Sequence, residues 1–135
     1  MEYKTIIIDS SVWISAFNSE DANNKLALQY VEYFEQEQWV PDIVFYEVLS
    51  VLKNKLKNKA LLDKFVDYTK NNGNISIRLF YEHNREVLKT FTYETTGRLS
   101  YVDSLLVYLS RDYWILTFNE DIKKEIKKIG GKLIK

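Results

Sequence analysis

A chain of 135 residues can bury one core but is short for two, so we expect a single domain spanning residues 1–135. The absence of cysteine excludes disulfides and thiolate metal sites, and a single histidine excludes a multi-histidine site within one chain, so any metal must be held mainly by oxygen. The formal net charge of zero gives no argument for nucleic-acid binding by the whole chain, which only a local basic patch could provide.

The amino-terminal half begins with a predicted buried strand. Residues 5–8 are β-branched without apolar and polar alternation, which is typical of a strand covered on both faces in a parallel sheet. This run is too short for a signal peptide or a membrane span, so we expect a cytoplasmic protein with no membrane association. After a loop at Asp9, helical spacing predicts a helix over residues 23–38, and Pro41 marks the start of another that extends to about residue 57.

The carboxyl-terminal half continues the alternation of helices and strands. The remaining patterns predict a helix over 60–69, a turn over 71–74, a strand over 75–79, a helix over 82–92 that stops by Gly97, a helix over 100–110, a strand over 114–117, a helix over 120–128 and a last short strand over 132–134. Strands separated by helices predict an α/β domain with a mostly parallel sheet packed between helical layers.

Three acids stand out because each is the only charged residue in a largely apolar segment. They are Asp9, Glu47 and Asp103. An ionised carboxylate among apolar neighbours is unfavourable unless it is paired, and these segments contain no local lysine or arginine. If the three converge, their repulsion raises their pKa values, and a divalent cation is the simplest group that neutralises them. We expect them to meet at the carboxyl edge of the sheet, with Glu47 and Asp103 within about a turn of their helix starts.

Each acid also has a purely structural interpretation. Asp9 could cap a turn with the two serines that follow it. Ser100 and Asp103 match the pattern of a helix capping box. Glu47 lies on the flank of the apolar stripe of its helix and could simply face water. The three acids together favour a site more strongly than any one of them does.

Four segments in order resemble the motifs of the PIN-domain family. They are IDSSVW at residues 8–13, VPDIVFYEVL at 40–49, LSYVDSLL at 99–106 and ILTFNED at 115–121. The branch they most resemble is that of the VapC-like toxins of prokaryotic toxin–antitoxin pairs. This resemblance implies a PIN-like three-layer sandwich with a central, mostly parallel sheet flanked by helices. It also implies an RNA-cleaving hydrolase that uses Mg²⁺ or Mn²⁺, forms a homodimer and is inhibited by a small antitoxin protein.

The resemblance also assigns roles to particular residues. Carried over position by position, it makes Asp9, Glu47 and Asp103 both catalytic residues and metal ligands. It makes Ser10 and Thr117 supporting hydroxyls. Three carboxylates around Mg²⁺ leave coordination positions for water and for a phosphate oxygen, as phosphodiester hydrolysis requires.

The fourth motif departs from the family pattern. Members commonly have Thr-x-Asp, whereas this chain has Asn119 at the third position, followed by Glu120 and Asp121. Asn119 could offer a carbonyl oxygen or hold a metal-bound water, and Asp121 could supply the missing charge as a fourth catalytic carboxylate. The alternative is a helix amino terminus with acids in its first turn, so a second metal stays open. The departure also keeps open a catalytically weak PIN-like scaffold that binds RNA or protein.

Substrate contacts are expected outside the acidic site, because RNA phosphates are repelled by carboxylates. Two lysine clusters are candidates, with solvated helix faces as the alternative. The clusters are Lys53, Lys55, Lys57 and Lys59, and Lys123, Lys124, Lys127, Lys128 and Lys132. Tyr46, Tyr101 and Phe118 adjoin the acids and could stack on bases, although core packing is the default for aromatic residues. We expect His83 at the surface.

Overall fold

The computed structural model describes residues 5–80, 84–94 and 99–135. Its strands form one parallel sheet in the order β3-β2-β1-β4. The strands are β1 Ile6–Ile8, β2 Gln38–Pro41, β3 Ile75–Arg78 and β4 Trp114–Leu116. The predicted strands over 5–8, 75–79 and 114–117 are confirmed. The predicted strand over 132–134 is wrong, because only an isolated bridge joins Leu133 to Ile115.

The helices follow the predicted alternation with strands. They are α1 Ser10–Phe17, α2 Asn24–Leu28, α3 Val31–Phe34, α4 Asp42–Ser50, α5 Lys59–Asn71, α6 Asn84–Lys89, α7 Tyr101–Leu109 and α8 Glu120–Ile129. Helix α4 continues as a π-helical turn over Val51–Lys55, and α6 does so over Thr90–Glu94. The predicted helix start at residue 82, its stop at Gly97 and the surface position of His83 lie outside the described residues.

Two predictions about the first half were wrong. The segment 23–38 is not one helix, because it forms the short helices α2 and α3 and then enters strand β2. Gln38 is fully buried in that strand, where its side-chain Nε2 donates a hydrogen bond of 2.7 Å to the Phe34 carbonyl oxygen. The loop expected at Asp9 is instead the amino-terminal cap of α1. In both places polar residues that suggest a surface or a loop form buried hydrogen bonds.

The connections place helices on both faces of the sheet. The chain passes from β1 to β2 to β3 in one direction across the sheet and returns to β4 on the far side of β1. Because such crossovers are right-handed, α1 to α5 cover one face while α6 and α7 cover the other. Packing of α1 against α4 and of α7 against α8 agrees with this division. The predicted three-layer α/β sandwich is therefore confirmed.

Strand β1 lies at the centre of the core. Ile6, Ile7 and Ile8 are fully buried, as expected for a strand covered on both faces. Trp13 of α1 is also fully buried and packs edge-on against Phe34 and Phe65. The first strand and helix are thus rigidly held, and the residue between them is Asp9. No helix among the described residues is long and apolar enough to cross a membrane.

Candidate active site

Asp9 is held in one orientation at the junction of β1 and α1. Its Oδ1 accepts hydrogen bonds from the Ser10 backbone N–H at 2.8 Å and, more weakly, from the Ser10 hydroxyl at 3.4 Å. Its Oδ2 accepts from the hydroxyls of Ser11 at 2.9 Å and Thr117 at 2.7 Å. The Asp9 backbone N–H donates to the Leu116 carbonyl oxygen, which ties the end of β1 to β4. The carboxylate is both a helix cap and a fixed group of donor oxygens.

Burial raises the pKa of Asp9 above its ordinary value of 3.8. The hydrogen bonds from Thr117, Ser11 and Ser10 lower that pKa, while the negative charge of Asp103 raises it further. Only 4% of Asp9 is exposed. A cation next to this carboxylate would therefore remove an electrostatic penalty that the hydrogen bonds offset only in part.

Glu47 lies early in the second turn of α4, five residues after the helix start at Asp42 and close to the predicted distance of about a turn. The residue keeps much of its surface in contact with water, yet partial burial of its carboxyl group raises its pKa above 4.5. The charge of Asp9 raises that pKa further, a hydrogen bond with the Ser10 side chain lowers it, and the charge of Asp103 adds a smaller upward effect. The pKa of Glu47 is therefore raised by the charges of both other acids.

Asp103 takes part in a capping box at the start of α7. Its backbone N–H donates to Ser100 Oγ at 3.1 Å, and its Oδ2 accepts from the Ser100 N–H at 3.2 Å. The structural interpretation is thus correct for the local contacts. The side chain is only half-buried, and its charge raises the pKa of both Asp9 and Glu47. Asp103 therefore both caps α7 and influences the pKa values of the other two acids.

The fourth motif divides into a buried part and an exposed part. Thr117 is 1% exposed, and besides donating to Asp9 it accepts a hydrogen bond of 3.0 Å from the Asn119 backbone N–H. Asn119 caps α8, since its Oδ1 accepts from the N–H groups of Asp121 at 2.9 Å and Ile122 at 3.2 Å. The Asp121 side chain is exposed in the first turn of that helix. Only Thr117 of this motif touches the Asp9 carboxylate.

The oxygen donors at this edge suit a hard divalent cation such as Mg²⁺ or Mn²⁺. Among residues 5–80, 84–94 and 99–135, however, no three ionisable side chains are close enough to form a ready-made metal-binding group. The charge of Asp103 acts on Asp9 and Glu47, and the charge of Asp9 acts on Glu47, but the three acids do not close into one cluster. The chemistry of the donors fits the ion, and holding it would require side-chain movement toward Asp9.

Ser11, considered from the sequence only as part of a turn cap, acts directly on the Asp9 carboxylate. The Ser11 hydroxyl donates to Asp9 and also accepts a hydrogen bond of 3.3 Å from the Phe118 backbone N–H. It therefore links the start of α1 to the loop after β4. The available signal was the pair of hydroxyl residues after Asp9, of which the second also faces the carboxylate.

The first lysine cluster borders an open groove. Lys53, Lys57 and Lys59 are exposed and, together with Leu62, line a groove of about 350 Å³ between the end of α4 and α5. The chain enters α5 through Lys57, whose φ of 52° lies in the left-handed region. This conformation turns the chain sharply between the two helices. The groove thus gathers cations from both sides of the turn.

The second lysine cluster is partly engaged within α8. Lys123 Nζ lies 3.3 Å from Glu120 Oε1, and Lys128 Nζ lies 4.0 Å from Glu125 Oε2. Such pairs on a helix surface reduce the net positive charge without contributing much stability. The first cluster is therefore the stronger candidate for contacting phosphate groups.

The aromatic neighbours of the acids differ in accessibility. Tyr46 is 57% exposed, so its ring is open to solvent beside Glu47. Tyr101 and Phe118 are half-buried, and the Phe118 ring packs 6.1 Å from the Tyr30 ring. Of the three, Tyr46 presents the largest open aromatic surface.

Comparisons with known proteins agree with this architecture. The PIN domain family model matches residues 6–127. The crystal structure of VapC20 of Mycobacterium tuberculosis, described as a sarcin-ricin loop cleaving toxin, is similar at a TM-score of 0.73 and 15% identity, over 88% of this chain and 93% of that chain. PAE2754 of Pyrobaculum aerophilum is similar at a TM-score of 0.60 and 10% identity, over 94% of this chain and 92% of that chain. No curated protein sequence matches. At these identities the two structures establish a likeness of fold.

Proposed function

This chain belongs to the PIN domain family, and on that premise we propose that it is a metal-dependent ribonuclease of the VapC toxin kind. The observation that carries the proposal is the electrostatic coupling at the carboxyl edge of the sheet. Asp103 raises the pKa of Asp9, and both raise the pKa of Glu47. Acids whose negative charge raises the pKa of a neighbouring carboxyl group form a site that gains from binding a cation.

The three acids have different parts in this proposal. Asp9 is the fixed ligand, because its hydrogen bonds leave it little freedom to turn. Glu47 and Asp103 are the adaptable ligands that close the site, since both are more exposed than Asp9. Thr117 and Ser10 hold Asp9 in place by donating hydrogen bonds to its carboxylate, and the Ser10 side chain also bonds Glu47. A bound Mg²⁺ or Mn²⁺ would supply Lewis acidity and charge neutralisation for phosphodiester hydrolysis.

The substrate is RNA, approaching along the groove bordered by Lys53, Lys57 and Lys59. A cationic border is needed because the acids themselves repel phosphate groups. VapC20 is described as cleaving the sarcin-ricin loop, so a structured RNA loop is the first substrate to test. We extend the proposal to a homodimer and to inhibition by a small antitoxin protein, which the likeness to the VapC branch supports.

The test is cleavage of end-labelled loop RNA by purified protein, with Mg²⁺, with Mn²⁺ and with excess chelator. We expect cleavage only with the metals. Glu47→Gln should lose it, whereas Glu32→Gln, an exposed control outside the acidic edge, should retain it. Circular dichroism of each variant checks that the fold is intact. Cleavage that persists in chelator, or in a folded Glu47→Gln protein, would contradict the mechanism.

A second candidate is a catalytically weak scaffold that binds RNA or protein. It is favoured by one observation, that the Asn119 side-chain oxygen is already used to cap α8. Under this alternative, RNA binding is retained while no metal supports cleavage. A gel-shift measurement beside the cleavage assay separates the two functions.

A further inference from the structure

A small cavity lies where α4 and α7 begin. It has a volume of about 160 Å³ and is lined by Asp42, Ile43, Phe80, Asn84, Tyr101 and Leu105. Ligand pockets for drug-sized molecules are roughly 300–1,000 Å³. The cavity therefore suits a group of about the size of one ring system rather than a large ligand.

The position of the cavity connects it to the proposed reaction. Asp42 follows directly on β2 and begins α4, while Phe80 lies just beyond β3, so the cavity opens at the carboxyl edge where Asp9 ends β1. Ile43 and Glu47 are four residues apart on α4 and thus face the same side, one turn from each other. Tyr101 opens α7 in the same turn as Asp103.

The chemistry of the lining is mixed in a particular way. Phe80 and Tyr101 supply aromatic surface, and Ile43 and Leu105 supply aliphatic surface. Within the described ranges, no hydrogen bond or ion pair engages the Asp42 carboxylate, which is half-buried. The Tyr101 hydroxyl donates to Asn84 Oδ1, which leaves the amide nitrogen of Asn84 to donate to a ligand. An acceptor pair and a donor thus border an apolar slot.

We propose that this cavity binds one nucleobase of the RNA, next to the bond that is cut, and that it prefers guanine. Single-stranded RNA is recognised by bases that leave the stack, pack against aromatic rings and hydrogen-bond through their edges. Guanine presents N1–H and the 2-amino group side by side, which matches the two oxygens of Asp42, and its O6 can accept from Asn84. Adenine, cytosine and uracil lack that pair of adjacent donors. The inference rests on the proposed function, because it names the part of the substrate that the same site selects.

The first measurement is cleavage of short single-stranded RNAs that differ at one position, carrying guanine, inosine, adenine, cytosine or uracil. Inosine lacks only the 2-amino group. For the wild-type protein we expect guanine to give the lowest KM, with inosine raising it about tenfold, as a bidentate base contact predicts. Asp42→Asn should reduce this difference to about twofold by raising KM for the guanine RNA. Asp112→Asn, an exposed aspartate before β4 at the opposite edge, is the matched control.

Two results of that measurement would overturn the inference. One is a wild-type protein that cleaves all five RNAs equally well. The other is an Asp42→Asn protein whose kcat falls equally on every RNA, because this would place Asp42 in the chemistry rather than in base selection.

A second measurement does not depend on cleavage. 5′-GMP, AMP, CMP and UMP are titrated into the protein, and the NMR signals of the Ile43 and Leu105 methyl groups are followed. GMP should give saturable chemical-shift changes, and Asp42→Asn should raise the dissociation constant for GMP at least fivefold. Binding of GMP without cleavage of any RNA would contradict the proposed nuclease activity and support the proposed base pocket. Cleavage without base preference and without GMP binding would contradict the proposed base pocket and support the nuclease activity.

Discussion

Two helices begin at the carboxyl edge of the sheet with capping side chains of nearly the same shape, yet their surroundings differ. Asp9 caps α1 and is buried, with hydroxyl groups from two segments directed at its carboxylate. Asn119 caps α8 at a half-buried position, and its Oδ1 accepts only from its own helix. A cap thus becomes a candidate catalytic group through what packs against it, and the local motif alone does not decide its role.

The largest expected effect comes from Asp9→Asn. The amide keeps the shape and the ability to cap but removes the charge, so we expect cleavage to fall by more than about 100-fold, beyond the loss typical of a residue that only supports a ligand. Metal-dependent cleavage rates and thermal unfolding measure the two properties. A folded Asp9→Asn protein with nearly normal cleavage would contradict the proposal that Asp9, unlike Asn119, takes part in the reaction.

A smaller effect is expected from Thr117→Val, which removes a hydroxyl while keeping the shape. The Thr117 hydrogen bond lowers the pKa of Asp9, so its loss raises that pKa further and moves the acidic limb of the pH–rate profile upward. We expect cleavage near pH 7 to fall by about 10- to 100-fold. Thr117→Ser retains the hydroxyl and serves as the control. A uniform loss with an unshifted pH profile would point to damaged packing instead.

The contrast between the caps also shows which features of the fold can be predicted from the sequence. The β-branched run of β1 and the capping pattern of Ser100 and Asp103 predict their elements correctly, because the signals are local. Strand β2 was missed because helical spacing continues into it and because Gln38, a polar residue, is buried there with a hydrogen bond to the Phe34 carbonyl oxygen. That bond depends on tertiary packing, which the spacing of apolar residues in the sequence does not predict.

The candidate site divides in the same manner. The isolation of Asp9, Glu47 and Asp103 in apolar segments identified them as acids that require a partner. The effect of Asp103 on the pKa of Asp9, and of both acids on the pKa of Glu47, depends on the packing of α1, α4 and α7, which the sequence does not state. The hydrogen bond from Thr117 to Asp9 joins residues 108 positions apart, and only the parallel pairing of β1 with β4 brings them together.

The stability of the metal-free protein should depend on pH through Asp9. Burial raises its folded-state pKa above the ordinary value of 3.8, so the folded protein holds this proton more tightly than the unfolded chain does. The free energy of unfolding therefore decreases as the pH rises above 3.8 and levels off once the pH exceeds the raised pKa. Urea unfolding in chelator should show this decrease, and Asp9→Asn should flatten it. Parallel curves for the two proteins would contradict the argument.

The smallest effects should come from the exposed cap at α8. Asn119→Ala removes an amino-terminal cap and should lower the free energy of unfolding by about 1 kcal/mol, with cleavage retained below the unfolding transition. Asn119→Asp keeps the acceptor and should restore that stability. Urea unfolding with cleavage at low temperature separates the two properties.

Asp121→Asn decides whether the end of α8 takes part in metal binding. Its carboxylate is exposed and its neighbours in the first turn do not fix it, so we propose that it assists the ion only at a distance, and we expect metal affinity to fall by about tenfold at most. Manganese titrations of Asp121→Asn and Asp9→Asn should then differ widely. If Asp121→Asn is as damaging as Asp9→Asn, α8 must approach the ion directly. The first turn of α8 would then contribute to metal binding together with Asp9.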